Sequence, residues 1–451
     1  MKASRFKAGM YLLETLTSGM YNDPLSIYRE YIQNSVDSID QSGWSPEDTE
    51  IKIELNPIQQ SVSIYDNGGG ISAEKAEKVL SSIGSSEKFG TQQRGFRGIG
   101  RLGGIAFAKR VVFRTTAIGE PVVSTQEWDC EELRSILRSP DHPTMTIEEL
   151  FSRVSDFSQE LCDDLRDSSF FEVKLLDVES FRNYIFDIQR IKKYLIQVAP
   201  LPFDPEQFSF HDEIQSFLTN NVPQYGEYKI TVNGEQLFRP YKDELSITSK
   251  QRNDQIESVE LFSLQSGDNI FAYGWYGCRR DLLGSIRKGE AVSGIRVKVG
   301  NLQVGDQHLL DRCFRESRFN SYTVGEIHVC NKSLIPNSRR DDFVDNKEKT
   351  LLYNLIEREI GLPLSKEIRR RSRVQTKARS SKYQPPQVTD ESSVEKIAQS
   401  NVKSTKTTKT ALTIPMEVSS ELLAKILWQC GDCQTLKRLL EESNPSQGQM
   451  S

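Results

Sequence analysis

Three short clusters of polar and glycine residues follow one another near the start of the chain. The first lies on a predicted helix from Pro24 to Ile39, and the second ends a predicted strand at 62–65. An alternating strand at 51–55 forms a hairpin with that strand. The third cluster, residues 95–104, leads into a predicted helix. The order of the clusters constrains the fold more than any one of them does.

The first cluster consists of Glu30, Asn34 and Asp37, which share one face of the predicted helix. Residues four and seven positions apart lie on the same side of a helix. An acid, an amide and a second acid on one face can position a water molecule and hold a magnesium ion. On its own, the pattern is also typical of a solvated helix face, so the interpretation depends on the other clusters.

The second cluster is Asp66 with Gly68 and Gly70, directly after the second strand of the hairpin. A carboxylate at a strand end can accept a hydrogen bond from an exocyclic amine, and glycines leave room for a flat ring. An ordinary glycine turn is the alternative explanation of this cluster.

The third cluster contains Gly95, Gly98 and Gly100 at the start of a helical stretch. Unobstructed backbone amides at a helix start suit phosphate groups. Residues 98–103 also spell GxGxxG, the pattern of a dinucleotide-binding fold. That fold needs a hydrophobic strand directly before the glycines, whereas residues 85–94 form a polar stretch. The context therefore argues against the dinucleotide fold.

Taken together, the clusters resemble the GHKL ATPase superfamily with its Bergerat nucleotide-binding fold, over Phe6 to about Leu176. The superfamily includes the ninety-kilodalton heat-shock chaperones, mismatch-repair MutL, MORC proteins, type II topoisomerases and histidine kinases. The resemblance is closest to the chaperones, and it implies a two-layer α/β sandwich that binds ATP with Mg²⁺. Histidine kinases are disfavoured because their catalytic box begins with asparagine, where this chain has Glu30.

The resemblance also implies roles for individual residues. Glu30 looks like the general base that aligns the attacking water, Asn34 like the magnesium ligand, and Asp66 like the acceptor of the adenine amine. The remaining implied ATP-binding residues belong to the base pocket or the phosphate-binding lid: Gly68, Gly70, Lys88, Gly95, Gly98 and Gly100. Asp37 is assigned a structural role. Many members place a threonine near the position of Phe171, and its loss leaves the support of Asp66 open.

A segment beyond the clusters resembles the middle domain of the same chaperones. Aligned on Asn337, it places Arg340 where an arginine reaches the γ-phosphate, with Arg339 as a substitute. A guanidinium from a second domain stabilises developing charge only once the domains have closed. Surface arginines at a helix start are the alternative. Beyond Ile360 we expect only a linker and one helix, without a counterpart of the large C-terminal dimerisation domain of the chaperones.

We therefore predict an α+β protein in which a Bergerat-fold sandwich is followed by a second α+β domain resembling the chaperone middle (ribosomal S5-like) domain. The predicted boundaries are an ATP-binding domain at 1–178 with a helical insertion at 127–168, a middle-like domain at 179–362, a disordered, basic, low-complexity linker at 363–411 and a C-terminal helical segment at 412–451. Residues 366–382 carry eight basic residues against one acid. Their composition is typical of a segment that cannot bury a core.

Composition limits the compartment and the partners. The net charge of −5 argues against a general polyanion binder. No apolar run reaches the ~18 residues of a membrane helix, and no signal core follows the N-terminus, so a cytoplasmic protein is expected. The seven cysteines lack the density of a disulfide scaffold. A protein client or partner is expected, a homodimer stays open, and nucleic acid is a less favoured partner through the basic run.

The function predicted from these features is Mg²⁺-dependent ATP binding and hydrolysis that drives a conformational change, as in a chaperone or an assembly switch. Two alternatives stay open. One is a DNA-linked ATPase of the MutL or MORC kind, and the other is a low-turnover nucleotide sensor in a multi-protein defence or regulatory system.

Overall fold

The structure, a computed structural model, describes residues 23–81, 100–139, 145–248, 252–287, 289–337 and 339–382. Its α-helices in chain order are α1 (Ser26–Ser42), α2 (Ala73–Ser81), α3 (Cys130–Arg138), α4 (Ile147–Val154), α5 (Arg182–Ile185), α6 (Ile188–Val198), α7 (His211–Asn221), α8 (Lys347–Ile356) and α9 (Leu362–Lys382). Its strands are β1 (Ile51–Asn56), β2 (Ser61–Asp66), β3 (Ala108–Thr116), β4 (Val122–Asp129), β5 (Ser155–Leu161), β6 (Phe170–Val178), β7 (Ile230–Val232), β8 (Glu235–Gln236), β9 (Glu244–Ile247), β10 (Arg252–Ser266), β11 (Asn269–Arg279), β12 (Gly294–Val299), β13 (Leu302–Val304) and β14 (Val324–Val329).

Helix α1 covers the first sheet with its apolar face. Tyr28, Ile32 and Val36 recur at helical spacing and are fully buried in the core that α1 shares with this sheet. The helix ends at Gly43, whose left-handed backbone (φ 68°) suits glycine. Burial of one face leaves the opposite stripe of α1, with Glu30 and Asn34, free to line a site.

The first sheet has the strand order β5-β4-β3-β6-β2-β1-β7-β8 in the described part of the chain. Strands β1 and β2 form the expected antiparallel hairpin, with Ile51 opposite Asp66. Strand β6 lies between β2 and β3, so residues far apart in sequence meet at the end of β2. This mixed sheet with helices packed on it is consistent with the expected α/β sandwich.

The chain returns to the first sheet well beyond the predicted domain boundary at 178. Strand β7 pairs in parallel with β1, with Ile230 opposite Ile51 and Val232 opposite Ile53. The buried side chains of Ile230 and Val232 belong to the same core as α1. Local periodicity does not show which strand a distant segment pairs with, so the prediction assigned this strand to the second domain.

The segment predicted as a helical insertion at 127–168 is only partly helical. It contains α3 and α4, but β4 extends into it to Asp129 and β5 adds an edge strand to the sheet. Most side chains of β5 are exposed, so its apolar alternation is weak. A polar edge strand lacks the pattern that identifies a strand in sequence.

The second sheet has the order β13-β12-β14-β11-β10-β9 among the described residues. Strands β12 and β14 run parallel, while β11 pairs with β14 and β10 in the antiparallel sense. Helix α8 packs on one face through Leu352 and Ile356. Helix α7 belongs to a separate core, through Ile214 and Leu218. A resemblance of this α+β region to the chaperone middle domain stays a prediction.

Helix α9 replaces the first part of the predicted linker. It follows α8 through a π-helical turn (Glu357–Gly361) and runs to Lys382. Leu364 and Ile368 are buried. The sequence prediction missed this burial because basic residues dominate the segment. Residues 383–411 and the predicted segment 412–451 lie outside the described residues. Across the described part of the chain, no helix is both long and apolar enough to span a membrane.

Candidate nucleotide site

Asp66 lies at the end of β2 with its side chain completely buried. One carboxylate oxygen, Oδ1, accepts a hydrogen bond of 3.1 Å from the amide of Gly68. The other, Oδ2, is buried without a hydrogen-bond partner. A buried acceptor without a donor is costly, so this atom suits a ligand that brings an N–H group, such as the amine of adenine.

Burial raises the pKa of Asp66 to about 7, against the opposing effect of the Ser35 hydroxyl, the Gly68 amide and the Ser38 hydroxyl. Neither hydroxyl makes a hydrogen bond of good geometry to Oδ2. The carboxyl group is therefore poised between its two protonation states near neutral pH. A donor from a ligand would favour the ionised state.

Gly68 and Gly70 both permit close packing of the loop after β2. A Cβ atom on Gly68 would lie 2.5 Å from the Ser38 hydroxyl and 2.8 Å from the backbone nitrogen of Ile39, both on α1. Gly70 has a φ of 60°, and a Cβ atom there would lie 1.9 Å from the carbonyl oxygen of Thr116. The glycines thus have a packing reason in addition to the base-pocket role predicted for them.

The opposite end of α1 carries Glu30, whose carboxylate contacts a residue of the second sheet region. Arg340 Nε donates a 3.2 Å hydrogen bond to Oε1 of Glu30, and Arg29 Nε lies 3.7 Å from the same oxygen. All three side chains are less than 20% exposed. The two predicted catalytic residues are therefore in direct contact, and two guanidinium groups share one carboxylate.

The negative charges near Arg340 only partly offset the effect of burial on the pKa of its guanidinium. Burial lowers the pKa of the Arg340 guanidinium, while the charges of Glu30 and Asp37 oppose the shift. Arg29 lies near enough to add to the lowering. A further anion, such as a phosphate group, would be favoured beside these two arginines. Arg29 had no role in the sequence prediction, although its position next to Glu30 was the available signal.

Asn34 lies between the two ends of the site on the same helix. Glu30, Asn34 and Ser38 are spaced by four residues, so they form one stripe that runs about 12 Å along α1. Asp66 lies at the Ser38 end of the stripe, and Arg340 contacts its Glu30 end. This arrangement suits an extended ligand whose base lies at the Asp66 end of the stripe and whose charged group lies at the Glu30 end. Asp37 is buried, and its structural role stays a prediction.

The glycine-rich segment meets α1 near Glu30. Gly100 begins a 3₁₀ helix (Gly100–Ala106), not the α-helix expected after the glycines. The amide of Gly104 donates a 3.0 Å hydrogen bond to the hydroxyl of Tyr31, the neighbour of Glu30 in sequence. The 3₁₀ helix is thus docked on the charged half of α1. The predicted phosphate-binding residues Lys88, Gly95 and Gly98 lie outside the described residues.

A threonine does lie beside Phe171, but on a neighbouring strand. Thr115 of β3 is the register partner of Phe171, which on its other side pairs with Asp66. The Thr115 hydroxyl accepts from the Ile71 amide at 2.9 Å and donates to the Phe170 carbonyl at 2.8 Å. It thereby fixes the loop after Gly70. The sequence prediction looked for a threonine only near Phe171 on β6. It missed Thr115 because the pairing of β3 with β6 is a tertiary feature.

Ser169 supplies a second hydroxyl next to the Asp66 loop. Its Oγ donates a 2.6 Å hydrogen bond to the carbonyl of Gly68, and the residue is buried. Ser169 directly precedes β6, so this contact ties the start of β6 to the loop after β2. The loop around Asp66 is therefore held from two strands despite the phenylalanine at position 171.

The model of one known protein family matches part of the chain. The family model described as "Histidine kinase-, DNA gyrase B-, and HSP90-like ATPase" matches residues 25–160, under a third of the chain. This match supports a GHKL-type ATPase domain here. At a general level it also supports ATP binding and hydrolysis. No curated protein matches the chain.

The GHKL match includes both ends of the α1 stripe, since Glu30, Asn34 and Asp66 all fall within it. It does not include Arg340 or the second sheet. The assignment of Arg340 to the site therefore depends on its contact with Glu30 and on the resemblance of the sequence segment, and its role belongs to the proposal below.

Proposed function

We propose that the chain is a Mg²⁺-dependent ATPase whose turnover requires the region of the second sheet to contribute an arginine to the GHKL-type domain. The observation that carries this proposal is the contact of Arg340 with Glu30, two largely buried charges that are 310 residues apart in sequence. An isolated ion pair at such a position would gain little stability, because desolvation of two charges offsets most of their attraction. A role in the chemistry accounts for the pair better than a role in stability.

In the proposed mechanism Glu30 acts as the base that orients and deprotonates the attacking water. Arg340 stabilises the charge that develops on the transferred phosphoryl group. A bound γ-phosphate would compete with Glu30 for the guanidinium of Arg340. That exchange would free the Glu30 carboxylate to accept a proton and would bind the region of the second sheet to the nucleotide.

At the other end, the unpartnered Oδ2 of Asp66 would accept the adenine amine. The Asp66 carboxyl would then be ionised, with the Gly68 amide donating to its other oxygen. The base would thus be selected by a hydrogen bond, since a 6-oxo purine has no donor at this position.

The residues of the site fit a magnesium ion that is held largely by phosphate and water. The amide oxygen of Asn34 is a hard ligand on the same stripe as Glu30. The described residues contain no group of three or more acidic, histidine or cysteine side chains that could hold a metal by themselves. Asn34 would thus supply one protein ligand. The ion would neutralise phosphate charge when bound.

The proposed output is a change of shape, as in the heat-shock chaperones, acting on a protein client or partner. The sequence feature that favoured a DNA-linked function was the basic segment at 366–382. In the structure Arg369 is paired with Glu316, while Arg370 and Arg371 are paired with Glu367. These pairings reduce the charge that helix α9 offers to a phosphate backbone, so we do not extend the proposal to nucleic acid.

The test is ATP hydrolysis by the purified full-length chain with Mg²⁺, compared with Arg340→Ala and with Arg339→Ala as the matched control. The Arg339 side chain is exposed, and only its carbonyl contacts the site, through Arg29. We expect Arg340→Ala to bind ADP as the wild type does and to lose hydrolysis. Equal hydrolysis by the wild type and Arg340→Ala would refute the role of Arg340, and a wild type without activity would refute the ATPase.

A further inference from the structure

The backbone of Arg340 adopts a conformation that side chains usually avoid. Its φ is 55°, in the left-handed region that is unfavourable for residues with a Cβ atom. Its amide donates a 3.1 Å hydrogen bond to the carbonyl of Asn337, and its carbonyl accepts one of 2.7 Å from the amide of Gly305. Surrounding structure therefore imposes the conformation of Arg340.

Two side chains close the turn that contains Arg340. Nδ2 of Asn337 donates to Oδ1 of Asp341 at 2.5 Å, and the backbone amide of Asp341 donates to Oδ1 of Asn337 at 3.2 Å. We refer to this reciprocal pair of hydrogen bonds between Asn337 and Asp341 as the clasp. Asp341 is exposed and Asn337 is partly exposed, so the clasp is not part of a hydrophobic core.

The base of the turn is held independently of the clasp. Pro336 and Phe343 form an isolated antiparallel bridge, and the side chain of Phe343 is buried. The carboxylate of Asp342 accepts a 2.6 Å hydrogen bond from the hydroxyl of Tyr353 and forms a 2.9 Å ion pair with Lys349, both on α8. Loss of the clasp should therefore leave the attachment of this segment intact.

We infer that Asn337 and Asp341 are positioning residues that hold the guanidinium of Arg340 at Glu30. Neither side chain touches Glu30, and both act through the backbone of the turn. Without the clasp, the left-handed conformation keeps only the backbone hydrogen bonds of Arg340 to Asn337 and Gly305, and the Arg340 side chain would sample positions away from the site. The inference rests on the proposed function for its catalytic consequence, although the placement of Arg340 on Glu30 is independent of it.

The kinetic test uses the full-length chain and four variants. Asp341→Ala and Asn337→Ala each break the clasp. The double variant Asn337→Asp with Asp341→Asn restores both hydrogen bonds with donor and acceptor side chains exchanged. Asp345→Ala is the matched control, because it removes an exposed carboxylate of the same segment that pairs with Lys349 and not with the clasp.

We expect each single clasp variant to lower kcat on the order of 10- to 100-fold, the cost of a small misplacement of a catalytic group. KM for ATP should stay within a few-fold, because adenine recognition lies at the far end of α1. The exchanged double variant should recover most of kcat, and Asp345→Ala should match the wild type. A kcat for Asp341→Ala equal to that of the wild type would overturn the inference, and so would failure of the exchanged pair to recover activity.

A second measurement separates the clasp from the ATPase proposal. A double-mutant cycle with Glu30→Gln and Arg340→Gln, followed by denaturant unfolding without nucleotide, gives the coupling between the two side chains. The cycle is repeated in Asp341→Ala. In the Asp341→Ala protein, we expect the coupling free energy between Glu30 and Arg340 to be less than half of its value in the wild type. A wild type that does not hydrolyse ATP but shows this loss would refute the proposed function and support the clasp, whereas an unchanged coupling would overturn the clasp.

Discussion

The Glu30 carboxylate and the Arg340 guanidinium are separated by 310 residues in sequence, and they share a 3.2 Å hydrogen bond. Glu30 lies on α1, which packs on the first sheet. Arg340 lies in a turn whose backbone is hydrogen-bonded to the amide of Gly305, the residue directly after β13 of the second sheet. The distance between the two side chains therefore depends on how the two sheets are placed relative to each other. Any movement between them changes the distance between the proposed base and the arginine that would stabilise the transition state.

Glu30→Gln should abolish ATP hydrolysis while leaving nucleotide bound. Removal of a positioned general base typically costs about 100- to 10,000-fold in rate. The variant also leaves Arg29 and Arg340 without their shared carboxylate, so we expect its affinity for ATP to equal or exceed that of the wild type. Turnover and calorimetric ATP binding measure the two effects, with Glu54→Gln on the exposed side of β1 as the control. Hydrolysis within a few-fold of the wild type would show that Glu30 is not the base.

Asp66→Asn should lose selectivity for adenine. The asparagine amide presents a donor as well as an acceptor, and an unsatisfied buried group costs about 1–3 kcal/mol. We expect ATP affinity to fall by about tenfold or more on this basis. Inosine triphosphate carries a carbonyl in place of the amine, so the variant should lose less affinity for it. An identical loss for both nucleotides, or none for ATP, would remove Asp66 from base recognition.

Asp66 should also make stability depend on pH. Burial raises its pKa to about 7, above the value of about 3.9 for an unfolded chain. Between these values the folded state binds more protons, so the contribution of Asp66 to stability is fully present below about pH 4 and is lost as the pH rises through about 7. Asp66→Asn cannot ionise, and it should gain stability relative to the wild type over this window, by roughly 4 kcal/mol at most.

Denaturant unfolding between pH 4 and pH 8 measures this difference. The exposed Asp48→Asn, on the segment just before β1, serves as the matched control and should follow the wild-type curve. Parallel Asp66→Asn and wild-type curves across the window would show that the pKa of Asp66 is the same in the folded and unfolded states, so that its burial does not raise it.

The boundary of the nucleotide-binding domain can be tested with two fragments, one ending at Asp177 and one ending at Phe238. Only the longer fragment retains α6 and β7, which contribute Ile191, Leu195 and Ile230 to the first core. Each such side chain contributes roughly 1.5–3 kcal/mol when buried. We expect the longer fragment to unfold cooperatively and bind ADP, and the shorter one to be unfolded or strongly destabilised. Equal thermal unfolding of the two would show that β7 is dispensable.

Much of the site depends on local sequence order, and for that reason it could be predicted. Helical spacing placed Glu30 and Asn34 on one stripe of α1, and the alternation of β1 and β2 placed Asp66 at a strand end. The resemblance to GHKL ATPases then connected these clusters. The helix, the hairpin and the residue types facing the site follow from short-range periodicity, which is written directly in the chain.

The elements that were wrong in the prediction are those whose state depends on distant partners. Strand β7 joins the first sheet because β1 offers an open edge, and polar β5 becomes a strand by pairing with β4. Helix α9 forms where composition indicated a linker, because Leu364 and Ile368 find a core. Pairing and burial between remote segments override local propensity in each case.

The sequence by itself determined the chemistry of each end of the site: an acid and an amide on a helix, a carboxylate at a strand end, and an arginine far along the chain. Only the tertiary structure decided that Oδ2 of Asp66 is buried without a partner and that Arg340 meets Glu30. The desolvation of Asp66 and the left-handed turn of Arg340 arise from atoms supplied by other elements. Such effects depend on three-dimensional packing, and local spacing along the chain does not encode them.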